Sequence, residues 1–266
     1  GGVKKLVMFV GGGYDAEYEK PSYDQNNKKG AGVYMFDAEN GDLLWWSGAN
    51  ATSKMGAQAY KFSDQLQYSV VSQINAIDRD NDGLVDNLYF GDLGGQAFRI
   101  DLNNMAKKEG VETDEDLKAK FSTRIVRLID QHVAGGESPR FYEMPSFSVH
   151  RDSTLGLFGV LALSSGDRSS PLSGAVGGNG PSVEKGASAS ADDGIFVVYD
   201  KDIGESALYA NGYSLKTKPV ALSPLKNSYA AGVAVSQGGW FYRYGNGAGK
   251  GVYKGMNSVY AVDSIL

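Results

Sequence analysis

Short apolar or aromatic runs alternate with clusters of Gly, Asn, Asp and Ser along nearly the whole chain. Leu6 to Val10, Val33 to Phe36, Leu43 to Trp46, Leu88 to Phe90, Ala97 to Leu102 and Ile195 to Tyr199 are each too short for a helix of ordinary length. Their aromatic and β-branched content, bounded by turn residues, predicts strands. Four such runs reach an Asp and then a turn: Tyr34-Met35-Phe36-Asp37, Phe98-Arg99-Ile100-Asp101, Val197-Val198-Tyr199-Asp200 and Tyr260-Ala261-Val262-Asp263. Their uneven spacing marks a loose internal repeat with insertions. In the fullest copy Asn40-Gly41 stands between two strand patterns, a strong hairpin signal.

Two segments break the pattern. Thr113-Asp114-Glu115-Asp116, followed by Leu117, Ala119 and Phe121, predicts a short capped helix within an insertion over 104–122. The stretch 164–193 is rich in Ser, Gly and Ala, poor in large apolar residues, and predicts a flexible surface loop.

Many short strands, 36 glycines and 16 tyrosines favour an all-β β-propeller, incomplete or modified, over a sandwich. Residues 1–266 are expected to form part of one such domain, since all-β domains often exceed 200 residues. The hydrophobic share of 42% suffices for a substantial core. A net charge of -5, with no Lys/Arg-rich run among aromatics, argues against nucleic acid as a partner. Without cysteine the chain has neither a disulfide framework nor a thiol site. Leu6 to Val10 is far too short to span a membrane, so no membrane insertion is expected. The start at Gly1-Gly2-Val3 and the end on a strand-like pattern are expected of a piece of something longer.

The strongest chemical signal is Asp78-Arg79-Asp80-Asn81-Asp82-Gly83-Leu84-Val85-Asp86. Four carboxylates around one turn-forming glycine repel one another at neutral pH unless a cation lies among them, and locally only Arg79 compensates. Asp78, Asp80 and Asp82 alternate as oxygen ligands do, Gly83 permits the bend, the Leu84 carbonyl supplies a further oxygen and Asp86 closes the shell. A flexible ring of oxygens suits Ca2+ better than Mg2+, and zinc prefers nitrogen or sulfur. The ordinary alternative is a solvated Asp-Gly turn. The loop is not an EF-hand: its twelfth position is Tyr89, where a bidentate Glu belongs, and Leu88-Tyr89-Phe90 predicts a strand rather than an exiting helix. Affinity on the order of micromolar to millimolar is expected.

Several blocks of residues resemble the C-terminal β-propeller of PilC/PilY-type pilus-tip proteins. They are Gly11 to Asp15; Gly32 to Asp37 with Gly41 and Trp45; the carboxylate loop running through Leu88-Tyr89-Phe90-Gly91-Asp92 to Leu102; Arg140 to Pro145; Ser164 to Leu172; and Gly194 to Asp200. The resemblance covers residues 3 to 240 and is most specific from Asp78 to Leu102. It implies a protein at the tip of type IV pili of Gram-negative bacteria, exported through the periplasm, acting in pilus assembly and surface adhesion. Minor pilins or other tip components would be its partners, with a host-cell receptor as a further one. Asp78, Asp80, Asp82, the Leu84 carbonyl and Asp86 would bind calcium, whose occupancy is linked to pilus extension and retraction. The chain departs from that family in lacking its N-terminal half and in being too short for every blade of the full ring.

An enzymatic alternative rests on Asp37 to Trp45, which also looks like the strand-turn-tryptophan unit of quinoprotein dehydrogenases. The vicinal cysteines of many such enzymes are absent, and a tryptophan packed between blades accounts for the unit without a quinone. No catalytic or organic-cofactor residue is assigned. Gly91-Asp92-Leu93-Gly94-Gly95-Gln96 is followed by a strand pattern, not by the helix a phosphate loop requires. His132 and His150 lack metal-like spacing and are expected in ordinary surface or loop positions. Asp15, Glu17, Glu19 and Asp24 form an acidic patch among lysines, read as a solvated loop rather than a second cation site.

Overall fold

The computed structural model describes residues 4–20, 23–49, 59–135, 138–169, 171, 193–221, 226–227, 238–244 and 254–260. Among the described residues the strands fall into three sheets that follow one another along the chain. The first consists of β1 (Val7–Gly11), β2 (Gly32–Asp37), β3 (Leu43–Gly48) and β4 (Ala59–Phe62), in that spatial order. The second consists of β5 (Asn75–Ile77), β6 (Asn87–Gly91), β7 (Gln96–Leu102) and β8 (Ser122–Asp130). The third consists of β9 (Ser146–Asp152), β10 (Gly156–Ser164), β11 (Gly194–Asp200), the two-residue β12 (Lys226–Asn227) and β13 (Gly239–Arg243), with β13 beside β11 and β12 outside β13. Neighbours pair antiparallel except β3 with β4 and β12 with β13. Successive meanders of about four strands make an all-β, β-propeller-like fold, with no closed barrel among the described residues.

The period of two explains how these sheets stack. On β6, Leu88 and Phe90 enter a core shared with Val33 and Trp45 of the first sheet, whereas Tyr89 enters one shared with Leu161, Phe196 and Val198 of the third. Both faces of the second sheet are therefore covered, and β6 and β7 are buried throughout. The same alternation divides β7, where Phe98 and Ile100 meet the first core while Ala97 meets the other. Trp45 lies in the core between the first two sheets with its ring edge-on to Phe121, as a blade-packing tryptophan does.

Three of the four repeated strand-Asp units close β2 and β11 or stop one residue short of the end of β7, and Asp37, Asp101 and Asp200 are all buried. Residues Ala261 to Asp263 of the fourth lie outside the described residues. The β2–β3 hairpin is wider than a two-residue turn. Gly41 has φ 80°, Asn40 is not left-handed, and the Gly41 N–H donates to the Asp37 carbonyl at 2.9 Å. The helix α1 (Asp114–Phe121) lies between β7 and β8, with Thr113 and Asp116 forming a reciprocal capping box.

The expected surface loop over 164–193 is corrected at its start. Ser164 is the last residue of β10, and Ser164, Ser165 and Asp167 are buried. Small residues are needed there for close packing: a Cβ on Gly166 would lie 2.8 Å from the Gly255 backbone, and the Gly255 N–H donates to the Ser165 carbonyl at 2.8 Å. Residues 170 and 172–192 of that stretch lie outside the described residues.

Candidate metal centre

The carboxylate loop connects β5 to β6, and its backbone is shaped by its own side chains. Asp78 accepts the N–H groups of Asp82 at 3.2 Å through Oδ1 and of Gly83 at 2.8 Å through Oδ2. Asp82 accepts the Leu84 N–H at 2.8 Å, and Asp86 accepts the Arg79 N–H at 2.8 Å. Two residues adopt left-handed backbone, Asn81 at φ 63° and Gly83 at φ 83°. Asn tolerates that region better than other side-chain-bearing residues, and Gly freely. The turn chemistry of this sequence thus closes the loop locally.

That closure gathers Asp78, Asp80 and Asp86, each offering a carboxylate oxygen within 4.8 Å of the others. Asp78 and Asp80 are exposed, whereas Asp86 is buried at the base. Burial, reinforced by the charges of Asp80 and Asp82 and opposed by the Arg79 N–H, raises the Asp86 carboxyl above the ordinary carboxylate range. Hard oxygen donors at this spacing can surround a cation: oxygens about 2.4 Å from calcium lie up to about 4.8 Å apart when opposite one another.

The other sequence-predicted ligands are placed differently. Asp82 is outside the gathered group and serves the Leu84 backbone instead. Arg79 sends its guanidinium to the Glu205 carbonyl (3.1 Å) and over the Tyr209 ring (5.3 Å to the centroid). Lys4 donates to the Asp82 carbonyl at 3.1 Å.

The Tyr209 hydroxyl donates to the Asp86 carbonyl at 2.9 Å, an oxygen that also receives the Leu102 N–H at 2.7 Å. Nothing in the local loop sequence signals Tyr209, which is 123 residues away from Asp86.

The remaining candidates resolve into structural roles. Gly91 to Gln96 carries the β6–β7 hairpin, whose buried Asp92 accepts the Gly94 and Gln96 N–H groups at 2.9 Å each. The acidic patch is not a simple solvated loop. Asp15 is buried and receives the Tyr23 hydroxyl and the Asn27 amide at 2.8 Å each, while Glu17 pairs with Lys20 and Glu19 accepts the Tyr14 hydroxyl. Asp24 faces His132 at 3.5 Å, and the His132 ring stacks on Tyr68. His150 lies on β9 beside Ser148. No described helix is long and apolar enough to cross a membrane.

The fold and loop define a β-propeller-like protein with an acidic candidate metal centre. No family profile matches the chain, and neither does any curated protein. Among solved structures, the C-terminal domain of Pseudomonas aeruginosa PilY1 is similar over 80% of this chain and 44% of that one, at 14% identity and a TM-score of 0.45. The chain thus spans less than half of that solved chain, and a likeness this distant says nothing about function.

Proposed function

We propose that the chain is a calcium-binding propeller segment of a type IV pilus-tip protein, acting in pilus assembly, extension and retraction control and surface adhesion, without catalytic activity of its own. The convergence of Asp78, Asp80 and Asp86 supports the calcium reading. The pilus reading rests on the sequence blocks from Gly11 to Asp200, above all Asp78 to Leu102. Asp78, Asp80 and Asp86 would hold the ion, with Asp82 and Leu84 shaping or completing the shell. Calcium would supply the positive charge that the clustered carboxylates lack.

Calorimetric titration of the purified chain with calcium chloride tests this reading. Saturable binding that disappears in Asp80→Ala is the expected result. A folded chain that takes up no calcium, or an Asp80→Ala chain that binds as the parent does, would overturn the site.

A further inference from the structure

The segment 201–217 runs back across the second sheet as an irregular strap with no described helix or strand of its own. Its ends are pinned near β11. Asp202 accepts the N–H groups of Lys216 at 2.7 Å and Thr217 at 3.0 Å and the Tyr213 hydroxyl at 2.9 Å. Ile203 and Leu208 are buried in the core between the second and third sheets. The polar face of the strap meets the carboxylate loop and its surroundings at three places. Arg79 reaches the Glu205 carbonyl, Arg124 the Leu208 carbonyl at 2.7 Å, and the Tyr209 hydroxyl the carbonyl of Asp86. Tyr209 is held further by Asn87, whose amide donates to its hydroxyl at 3.3 Å and to Asp101 at 2.8 Å.

Two of those three contacts end on the loop. Arg79 offers its N–H to the Asp86 carboxylate and its guanidinium to the strap, so one residue grips both. Asp86 offers its side chain to the gathered oxygens and its carbonyl to Tyr209. Any rearrangement of Asp78, Asp80 and Asp86 around a cation must therefore either keep the strap in this position or break these contacts.

We infer that cation binding in the loop and docking of the strap 201–217 on the second sheet are coupled, with Tyr209 and Arg79 as the positioning residues that carry the coupling. This rests on the calcium reading above. Linkage makes the coupling reciprocal: whatever factor the bound ion adds to strap docking, the docked strap adds to ion affinity. The chemistry favours a positive sign, because a docked Tyr209 adds its hydroxyl to the Leu102 N–H on the Asp86 carbonyl and so further restrains the residue whose carboxylate joins the other two.

Amide hydrogen exchange on the parent chain and on Tyr209→Phe, each with and without calcium chloride, tests the inference beside calorimetric affinities. Tyr209→Phe keeps the ring beneath Arg79 and loses only the hydroxyl. In the parent, calcium should slow exchange in both the loop 78–86 and the strap. In Tyr209→Phe, affinity should fall roughly fivefold or more, within the usual range of such couplings, and the protection of the strap should shrink while the loop remains protected at saturating calcium. Arg79→Lys, which keeps the charge and the backbone N–H, should lose less affinity than Arg79→Ala. Calcium binding that protects the loop but leaves the strap unchanged would overturn the coupling and leave the metal site standing. No calcium binding by the folded parent would overturn both. Thermal melting of each variant separates lost affinity from lost fold, and an unfolded Tyr209→Phe transfers the decision to the two Arg79 variants.

Discussion

Arg99 and Asp200 are 101 positions apart, yet Nη1 of Arg99 lies 2.6 Å from each carboxylate oxygen of Asp200, with both side chains fully buried. The pair joins β7 to β11 and so ties the second sheet to the third. Asp101 receives Arg99 Nε at 2.7 Å, and Tyr89 donates its hydroxyl to Asp200 at 3.0 Å. A buried guanidinium is tolerable only because its donors are occupied by charged acceptors. Alternation along β7 explains the placement: Arg99 and Asp101 share the strand face of Ala97, the face that meets the third sheet.

Removing both partners should cost less than the two single losses added together. Arg99→Ala takes the cation from Asp200, which keeps the Tyr89 hydroxyl, and leaves Asp101 with Arg124 at 3.4 Å and the Asn87 amide; it is expected to lose about 3 kcal/mol. Asp200→Ala leaves Arg99 with Asp101 and should cost less than Arg99→Ala. The double variant should be well short of the sum, because residues in one ion network couple. Urea unfolding of the parent, the two single variants and the double variant measures this directly. Additive losses would show that the pair does not couple the sheets.

The second prediction concerns pH. Burial pushes the Asp92 carboxyl up to about 8, against the pull of the Gln96 and Gly94 N–H groups. Burial likewise pushes Asp193 up to about 6, against the pull of the Ser165 hydroxyl that donates to one of its oxygens. A raised carboxyl holds its proton in the folded chain after the unfolded chain has released it. Stability therefore falls as pH rises from about 4 to about 6 on account of Asp193 and from about 4 to about 8 on account of Asp92, by at most about 1.4 kcal/mol per pH unit for each group. Asp15 and Asp37, held below the ordinary range, act in the opposite sense, and their contribution is lost only as pH drops below about 4. Asp92→Asn keeps an oxygen acceptor for the two N–H groups and removes the titration. Its urea midpoint should be nearly level between about pH 6 and 8, where that of the parent declines.

The loop geometry ranks its own carboxylates. Asp78, Asp80 and Asp86 share the gathered site, whereas Asp82 accepts the Leu84 N–H. Asp80→Ala and Asp86→Asn should each lower calcium affinity by an order of magnitude or more, since each removes a charged ligand. Asp82→Ala should weaken it less, through a loosened turn. Calorimetry of the three variants gives the order, and an Asp82→Ala loss equal to that of Asp80→Ala would move Asp82 into the coordinating group.

What could be read from the sequence divides along lines of distance. The strands of β6 and β7 were legible because Leu88-Tyr89-Phe90 and Ala97 to Leu102 carry their own β preference, and the Asp78 to Asp86 loop because its turn chemistry and charge repulsion are local. The Arg99–Asp200 pair and the Tyr209–Asp86 contact were not, since each depends on how separate sheets stack. Composition misled at Ser164 to Asp167, where small residues are required by backbone packing rather than by exposure. It misled again at Asp15, where a buried carboxylate surrounded by Tyr23, Gln25 and Asn27 looked like one member of a charged surface run.

Arg140 supplies the last prediction. Its Nη1 donates to the Tyr18 carbonyl at 2.6 Å and to Asp167 at 2.9 Å, its Nη2 donates to the Lys20 carbonyl at 2.8 Å, and its guanidinium lies 4.9 Å from the centroid of the Tyr18 ring. One buried fork thus connects the turn after β1, the link between β8 and β9, and the residues following β10. Arg140→Ala takes the cation from the buried Asp167, which keeps Ser169 as a donor, while the Tyr18 and Lys20 carbonyls keep the Ser169 hydroxyl and the Tyr23 N–H; it should cost about 3 kcal/mol. Arg140→Lys keeps the charge but cannot donate in three directions from one plane or stack on Tyr18, so it should recover only a minor part of that loss. Urea unfolding of both variants decides the matter. A fully rescued lysine variant would mean that charge alone, not the geometry of the fork, holds these three segments together.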